Sequence, residues 1–477
     1  MLRLLVLLSC PGLALVGAEW SWSWQPAAGA AAPRAELCPF KYGKRWAYAV
    51  EIDDGPKWAR AFAVPFLAEH TYTDAPPGVA GGRPRPFVGG LAVIVNAVGA
   101  NDAIVDWDDL KAMSAAGWGV LNHSLSHSGR SWGDEAGRLN DDQIREDGFW
   151  SQALIAYGLG TGRAPTGYVY ANGYVDYNRG GALDRLGVRI ATRVGGQTPA
   201  DVTTGEVAWL DYGRTYLDEE PWARDGKGEP MAGFPVLDGD GPVKRFVIDF
   251  THGIDRKPES PNHQRWRTRL ATISTRWGAA GRDNLWCAPT DEVADYLRAS
   301  RVAKVAATRD KLTVSIPDDI PGAALTVRLS GIPEQAQLSA PPGGVLHRQG
   351  DTAWITTPPI GQPGAPAPLP ALRQVYAGPP GTITFDRPAA VAGVAVRIGH
   401  ELPFRFSYRV LLKTAAGERQ LVEKQMPAGW FVGTNFHAVL PNADPITATG
   451  LTLPPQPGIH QVVVWAVDRT EGPNKKR

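Results

Sequence analysis

The sequence predicts an α/β domain on a mostly parallel sheet, followed by an all-β, sandwich-like C-terminal region. Three observations carry this. Up to about residue 301, short apolar runs alternate with amphipathic helical patterns, the order that builds parallel sheets, open or closed into a barrel. Beyond Arg301 the helical periodicity stops, and short alternating stretches recur between Pro and Gly, as in antiparallel sandwiches. Between them, Pro358 to Pro370 holds six prolines in thirteen residues, a stiff linker or long surface loop.

In chain order, the first feature reads as an export signal. Arg3 precedes an apolar run from Leu4 to Val16, and Val16-Gly17-Ala18 offers small residues for cleavage after Ala18. The run is shorter than the ~20 residues that span a bilayer, and no later segment approaches that length. Cys10 matches a lipoprotein site less well, because few apolar residues precede it. The expectation is a secreted or periplasmic protein without a transmembrane segment. The expected domains are a signal peptide (1–18), an α/β barrel-like domain (19–301), a β-rich segment with the Pro-rich linker (302–370) and a β-sandwich (371–477).

Within 19–301, Ala47 to Val50, Ala92 to Val95, Trp118 to Leu121, Phe246 to Phe250 and Leu285 to Cys287 read as buried strands. Asp106 caps a helix carrying Trp107, Leu110 and Met113 on one face, and Gly117 ends it. Ile144 to Tyr157 is a further amphipathic helix, and Thr290 caps the last one. C-terminally, Lys311 to Ile316, Leu325 to Leu329, Thr382 to Phe385, Val394 to Ile398, Phe404 to Leu412, Gln420 to Glu423, Leu451 to Leu453 and Gln461 to Val467 read as strands.

Composition narrows the function. With 43% hydrophobic and 20% charged residues, a globular core is expected rather than disorder. Lys and Arg number 49 against 48 Asp and Glu, so no cationic excess exists to neutralise phosphates, and nucleic acid is not an expected partner. Among 17 Trp, Trp354, Trp430 and Trp465 are candidates for stacking on sugars, with core filling as the alternative. Cys38 and Cys287 are an even pair that an oxidising compartment allows to bond; two buried thiols are the alternative.

Three clusters at the carboxyl ends of predicted strands carry the chemistry, where α/β sheets build their sites. Glu51-Ile52-Asp53-Asp54-Gly55 is turn chemistry, yet adjacent carboxylates at a strand end can point to different sides. One then suits a metal and the other a proton. His123-Ser124-Leu125-Ser126-His127 spaces two imidazoles at i and i+4, about 5–6 Å apart on a helical turn. Asp54 with two His is a ligand set suited to zinc, with room left for water. His252 follows the late strand. Each cluster alone is weak; three at one rim are specific.

Over roughly residues 40–300 these clusters resemble those of the polysaccharide deacetylases, the NodB-homology carbohydrate esterases of the family-four type. The family's Thr-Phe-Asp-Asp-Gly is similar to Glu51 to Gly55, its His-Ser/Thr-x-x-His is matched by His123 to His127, and its Leu-x-His by Phe250-Thr251-His252. The stretch from Asp106 to Val120 and the closing stretch from Leu285 to Val302 are also similar. The resemblance implies a distorted (β/α)7 barrel and a metal-dependent hydrolase removing N-acetyl or O-acetyl groups from a polysaccharide or glycan. It implies Asp53 as general base, Asp54, His123 and His127 as metal ligands, and His252 as general acid. The family's Arg-x-Pro-Tyr/Phe-Gly segment has two placements here. Arg163-Ala164-Pro165 keeps the Arg but precedes its strand; Tyr168 to Gly173 ends the strand but has Val169 in the Arg position. Asn172, Tyr170 and Arg163 are therefore the oxyanion and substrate candidates, and the second placement is preferred.

The residues support that chemistry by themselves. Three protein ligands leave zinc an open position, and zinc lowers the pKa of bound water towards about 7. Asp53 would take the proton and His252 would protonate the departing amine, helped by a carboxylate such as Asp211 or Asp249. Two alternatives stay open: an amidohydrolase acting on a non-sugar C–N bond, and a non-catalytic carbohydrate-binding protein.

Overall fold

Trp46–Ile52 (β1) is buried at all seven positions, as a strand walled on both faces must be. It anchors a set of parallel strands: Gly90–Val93 (β2), Gly119–Asn122 (β3), Gly167–Val169 (β4), Ile190–Val194 (β5), Tyr212–Tyr216 (β6), Phe246–Thr251 (β7) and Leu285–Cys287 (β8). Strands β1 to β7 pair in sequence, and β7 returns to β1 from Phe246↔Ala47 to Thr251↔Ile52, which closes a seven-stranded parallel barrel. Strand β8 takes the amino half of β1 (Leu285↔Trp46 to Cys287↔Tyr48), while β2 takes its last two residues. One edge of β1 thus serves two neighbours, and this distorts the barrel. Gly89 permits the close approach before β2, since a Cβ there would lie 2.7 Å from the Val50 carbonyl oxygen.

The structure is a computed structural model, and it describes residues 18–125, 127, 141–199, 201–218, 243–398, 407–425, 435–439, 445–455 and 457–467. The signal run before Ala18, Cys10 and Trp430 lie outside the described residues.

Helix starts follow their capping chemistry. Trp107–Ala115 (α1) opens with a capping box, Asp106 accepting from Asp109 N at 2.8 Å and Asp109 from Asp106 N at 3.2 Å. Asp141–Gly158 (α2) follows the histidine segment. Pro261–Trp277 (α3) has Ser260 as N-cap and Pro at its start, and buries Trp266, Leu270, Ile273 and Trp277. Thr290–Val302 (α4) closes the α/β part. Among the described residues no helix is long and apolar enough to cross a membrane.

The chain divides into two compact units, Met1–Gly43 with Asp295–Pro363, and Lys44–Ala294 with Gly364–Arg477. In the first, Ala18–Ser23 pairs with Lys311–Ile316, and Arg34–Leu37 pairs with Thr326–Ser330, all antiparallel. The change of texture at Arg301 gave no sign of this, because the pairing joins segments almost 300 residues apart. The second unit holds the barrel and a seven-stranded antiparallel sheet spanning Leu372–Gly378 to Ile459–Val467. Within the Pro-rich stretch, Ala365–Pro366 pairs antiparallel with Arg163–Ala164.

Cys38 and Cys287 are both free and buried, so the bond that export would allow is not formed. Each sulfur sits in the interior of its own unit. The Cys287 thiol faces Val88 O at 3.5 Å, and burial pushes both thiols up to about 12. Iodoacetamide at pH 8 is expected to modify neither cysteine in the native protein and both after urea, since the thiolate is the nucleophile. A mass two hydrogens lower than the reduced protein would contradict this.

Candidate metal and catalytic centre

The three motifs meet at the carboxyl rim of the barrel. After Asp53, Asp54 and Gly55 both have positive φ, +69° and +62°. This turn sends the two carboxylates to different sides of the strand end. Ser124 (+71°), His127 (+53°) and Asn172 (+52°) are also left-handed, so four of the six such non-glycine residues among those described lie in the strand-end segments. Each such residue costs of order 1–3 kcal/mol and persists where surrounding structure enforces it.

Asp54, His123 and His127 present ligand atoms all within 4.8 Å of one another, a possible metal-binding group. The Asp54 Oδ1 lies 3.4 Å from His123 Nε2 and 3.5 Å from His127 Nε2. His123 Nδ1 donates to Val169 O at 2.8 Å at the end of β4, which leaves the Nε2 lone pair pointing at Asp54. Asp54 Oδ1 is buried and accepts no hydrogen bond. Three potential ligand atoms therefore lie close enough together for one divalent cation to bind all of them.

The electrostatics agree. Burial, reinforced by the His123 charge, pushes His127 down to about 4 and keeps it a neutral ligand. Burial would raise Asp54, but His123 and His127 outweigh it and bring its carboxyl to about 2. Burial opposes a His123 cation, yet Asp54 and Asp53 lift its pKa above the ordinary value. Asp54 and His123 thus stabilise opposite charges in each other, while His127 stays neutral.

Asp53 is buried beside this group and is gripped by Arg214 of β6, whose Nη1 donates to Oδ1 at 2.8 Å and Nη2 to Oδ2 at 2.7 Å. The same Nη1 donates to Glu51 Oε2 at 3.0 Å, and the guanidinium lies 3.7 Å above the Phe250 ring. Glu51 also accepts from Thr192 Oγ1 at 2.9 Å and Thr290 Oγ1 at 2.7 Å. Burial would raise Asp53, but Arg214 reverses it and holds the carboxyl below its usual range. Glu51 moves the other way: burial lifts it, Arg214 opposes, and Asp53 adds to the rise. The asymmetry follows the bonds, since Arg214 gives two to Asp53 and one to Glu51.

His252 Nε2 stands 3.9 Å from Asp53 Oδ2, and its side chain is 49% exposed, so it borders both Asp53 and solvent. Its ring packs edge-on to Tyr216 and Phe250, at 5.5 and 5.8 Å. Asp218 accepts from the His252 backbone N at 2.9 Å and from Thr251 Oγ1. Neither carboxylate expected to assist His252 does so. Asp249 faces outward to Arg269 (2.7 Å) and Tyr48 (2.8 Å), and Asp211 pairs with Arg193 at 2.6 Å.

The remaining candidates separate. Asn172 is exposed and lies three residues past Val169, whose carbonyl holds His123. Tyr170 is buried and donates its hydroxyl to Leu210 O at 2.7 Å, so it is a packing residue. Arg163 precedes β4 at the amino end of the barrel and donates through Nε to Gly364 O at 3.0 Å, away from the rim. Arg214 was missed. An arginine in Tyr212–Tyr216 makes a short strand read as a loop, and Val169 standing in the family's Arg position was its only signal.

No family model and no curated protein matches the chain. Similar solved structures include the deacetylase PplD of Streptococcus pyogenes in complex with acetate (12% identity, 43% of this chain and 66% of that one, TM-score 0.25). A polysaccharide deacetylase of Bacillus cereus matches at 13% identity, 46% and 50% coverage and TM-score 0.26. A family 4 acetyl xylan esterase of Clostridium thermocellum, in complex with a cobalt ion, matches at 16% identity, 48% and 84% coverage and TM-score 0.27. The chain spans between half and about two thirds of the first two.

Proposed function

We propose that the chain is an exported, zinc-dependent hydrolase that removes acetyl groups from a polysaccharide or glycan. One observation carries the reading: three convergent metal-ligand atoms lie beside a buried carboxylate held ionised by Arg214, with an exposed imidazole 3.9 Å away. When bound by Asp54, His123 and His127, zinc would polarise an acetyl carbonyl and make water acidic near neutral pH.

The protein's own residues supply the proton steps. Asp53 accepts the proton of the attacking water at a carboxylate oxygen, and Arg214 keeps that carboxylate oriented and charged until then. His252, on the solvent side, donates to the departing sugar amine or hydroxyl. The exposed Asn172 segment is the proposed source of a backbone N–H for the oxyanion. Arg163 and Tyr170 take no part.

Purified protein with zinc is expected to release acetate from acetylated oligosaccharides, to lose the activity to a chelator and to regain it with zinc. Turnover of a non-sugar amide in place of these substrates would favour the amidohydrolase reading. Sugar binding without turnover in the zinc-loaded protein would favour a binding protein.

A further inference from the structure

The segment carrying both histidine ligands is held from outside the metal group. Ser124 and His127 have φ of +71° and +53°, so neither residue has helical backbone geometry. The backbone of its described residues is bonded on several sides. His123 N donates to Val93 O at 3.0 Å, Val95 N to Ser124 O at 3.1 Å and Asn96 N to Leu125 O at 2.9 Å. The Ser124 N–H donates to Asn122 Oδ1 at 2.8 Å, and Asn122 Nδ2 is tied to Ser151 and Gln152 of α2 at 2.8 and 3.1 Å. The Leu125 N–H donates to Asp147 Oδ1 of α2 at 2.9 Å.

Among these described partners Asp147 carries the charge, and it is only 7% exposed. Its Oδ1 also accepts the Tyr177 hydroxyl, and the Tyr177 ring stacks on Tyr168 at 5.1 Å. A charge-assisted bond from a buried carboxylate to a loop N–H is among the stronger fixed contacts a protein makes. Here it falls midway between the two ligands.

We propose that Asp147 is a positioning residue for the metal centre: through the Leu125 N–H it fixes the backbone at Leu125, between the two histidines, so that both imidazoles stay beside Asp54. The inference rests on the proposed metal-site reading and adds to it a residue of α2, 20 positions beyond His127. The role needs an acceptor oxygen at Oδ1, not a titrating group. Outer residues that orient metal ligands typically change metal affinity about 10–100-fold when removed.

The test is zinc affinity, measured by competition with a chromophoric chelator on the full chain. Thermal midpoints are recorded in excess chelator, where the metal contributes nothing. Asp147→Ala is expected to weaken zinc about 10–100-fold, and Asp147→Asn, which keeps an acceptor oxygen, to retain most of the affinity. Tyr177→Phe leaves the Leu125 bond but loosens the carboxylate, and should weaken zinc by less; it also serves if the alanine variant fails to fold. Unaltered affinity in folded Asp147→Ala, or in Tyr177→Phe when only that variant folds, overturns the proposal. So does an equal loss in the alanine and asparagine variants. No zinc binding by the unaltered protein, or full binding by His127→Ala, would instead defeat the metal-site reading itself.

Discussion

Asp53→Asn is expected to lower acetate release by about 10²–10⁴-fold, the usual contribution of a positioned general base, while zinc uptake stays unchanged. The two effects separate because the possible metal-binding group is Asp54, His123 and His127, and Asp53 is none of them. The substitution also has a local cost. One of the two Asp53 oxygens becomes an NH₂ facing an Arg214 nitrogen that now donates at 2.7 or 2.8 Å, so two donors oppose each other. Arg214 then keeps its bond to Glu51 and one bond to residue 53, and stability should fall modestly. Activity must therefore be compared at a temperature where both proteins are fully folded. Residual activity within tenfold of the unaltered protein, with zinc bound, would show that Asp53 is not the base. Loss of zinc together with activity would show that it belongs to the metal site.

The parts of the fold legible in the sequence were those whose burial is announced locally. Strands β1, β3 and β7 are runs of apolar residues, and the capping box of α1 is a four-residue pattern. Strands β5 and β6 were not legible. Ile190–Val194 and Tyr212–Tyr216 carry Thr192 and Arg214, polar residues that are buried because they satisfy Glu51 on β1 and Asp53 just past it, more than 130 positions away. No local periodicity reports such a partner. The proximity of Asp54, His123 and His127, a possible metal-binding group, was legible for the opposite reason: each follows a recognisable strand. Arg163 and Tyr170 fitted by residue type, but the structure gives their side chains other partners. Arg163 stands before β4, and the Tyr170 hydroxyl is spent on Leu210 O.

Arg214→Met should be the most destabilising single change at the rim. It leaves Asp53 and Glu51, both buried, without their shared cation, and breaking a buried ion pair by removing one partner costs about 3–5 kcal/mol. The pH dependence identifies the cause. In the unaltered protein the folded pKa of Asp53 lies below its unfolded value. Its contribution is therefore present above about pH 4 and is lost as pH falls through the folded value. In the variant, desolvation and mutual repulsion raise both carboxylates above their unfolded values of about 3.9 and 4.3. The folded state then binds more protons than the unfolded one, and stability declines as pH rises from about 4 towards neutrality. The stability gap measured by urea unfolding should be wide at pH 7.5 and clearly smaller at pH 5. Adding Glu51→Gln should recover part of the loss at pH 7.5, because one of the two uncompensated charges is gone and the sites are coupled. A gap that does not change with pH would mean that Arg214 stabilises the barrel through its packing on Phe250, and that its charge is not what holds Asp53.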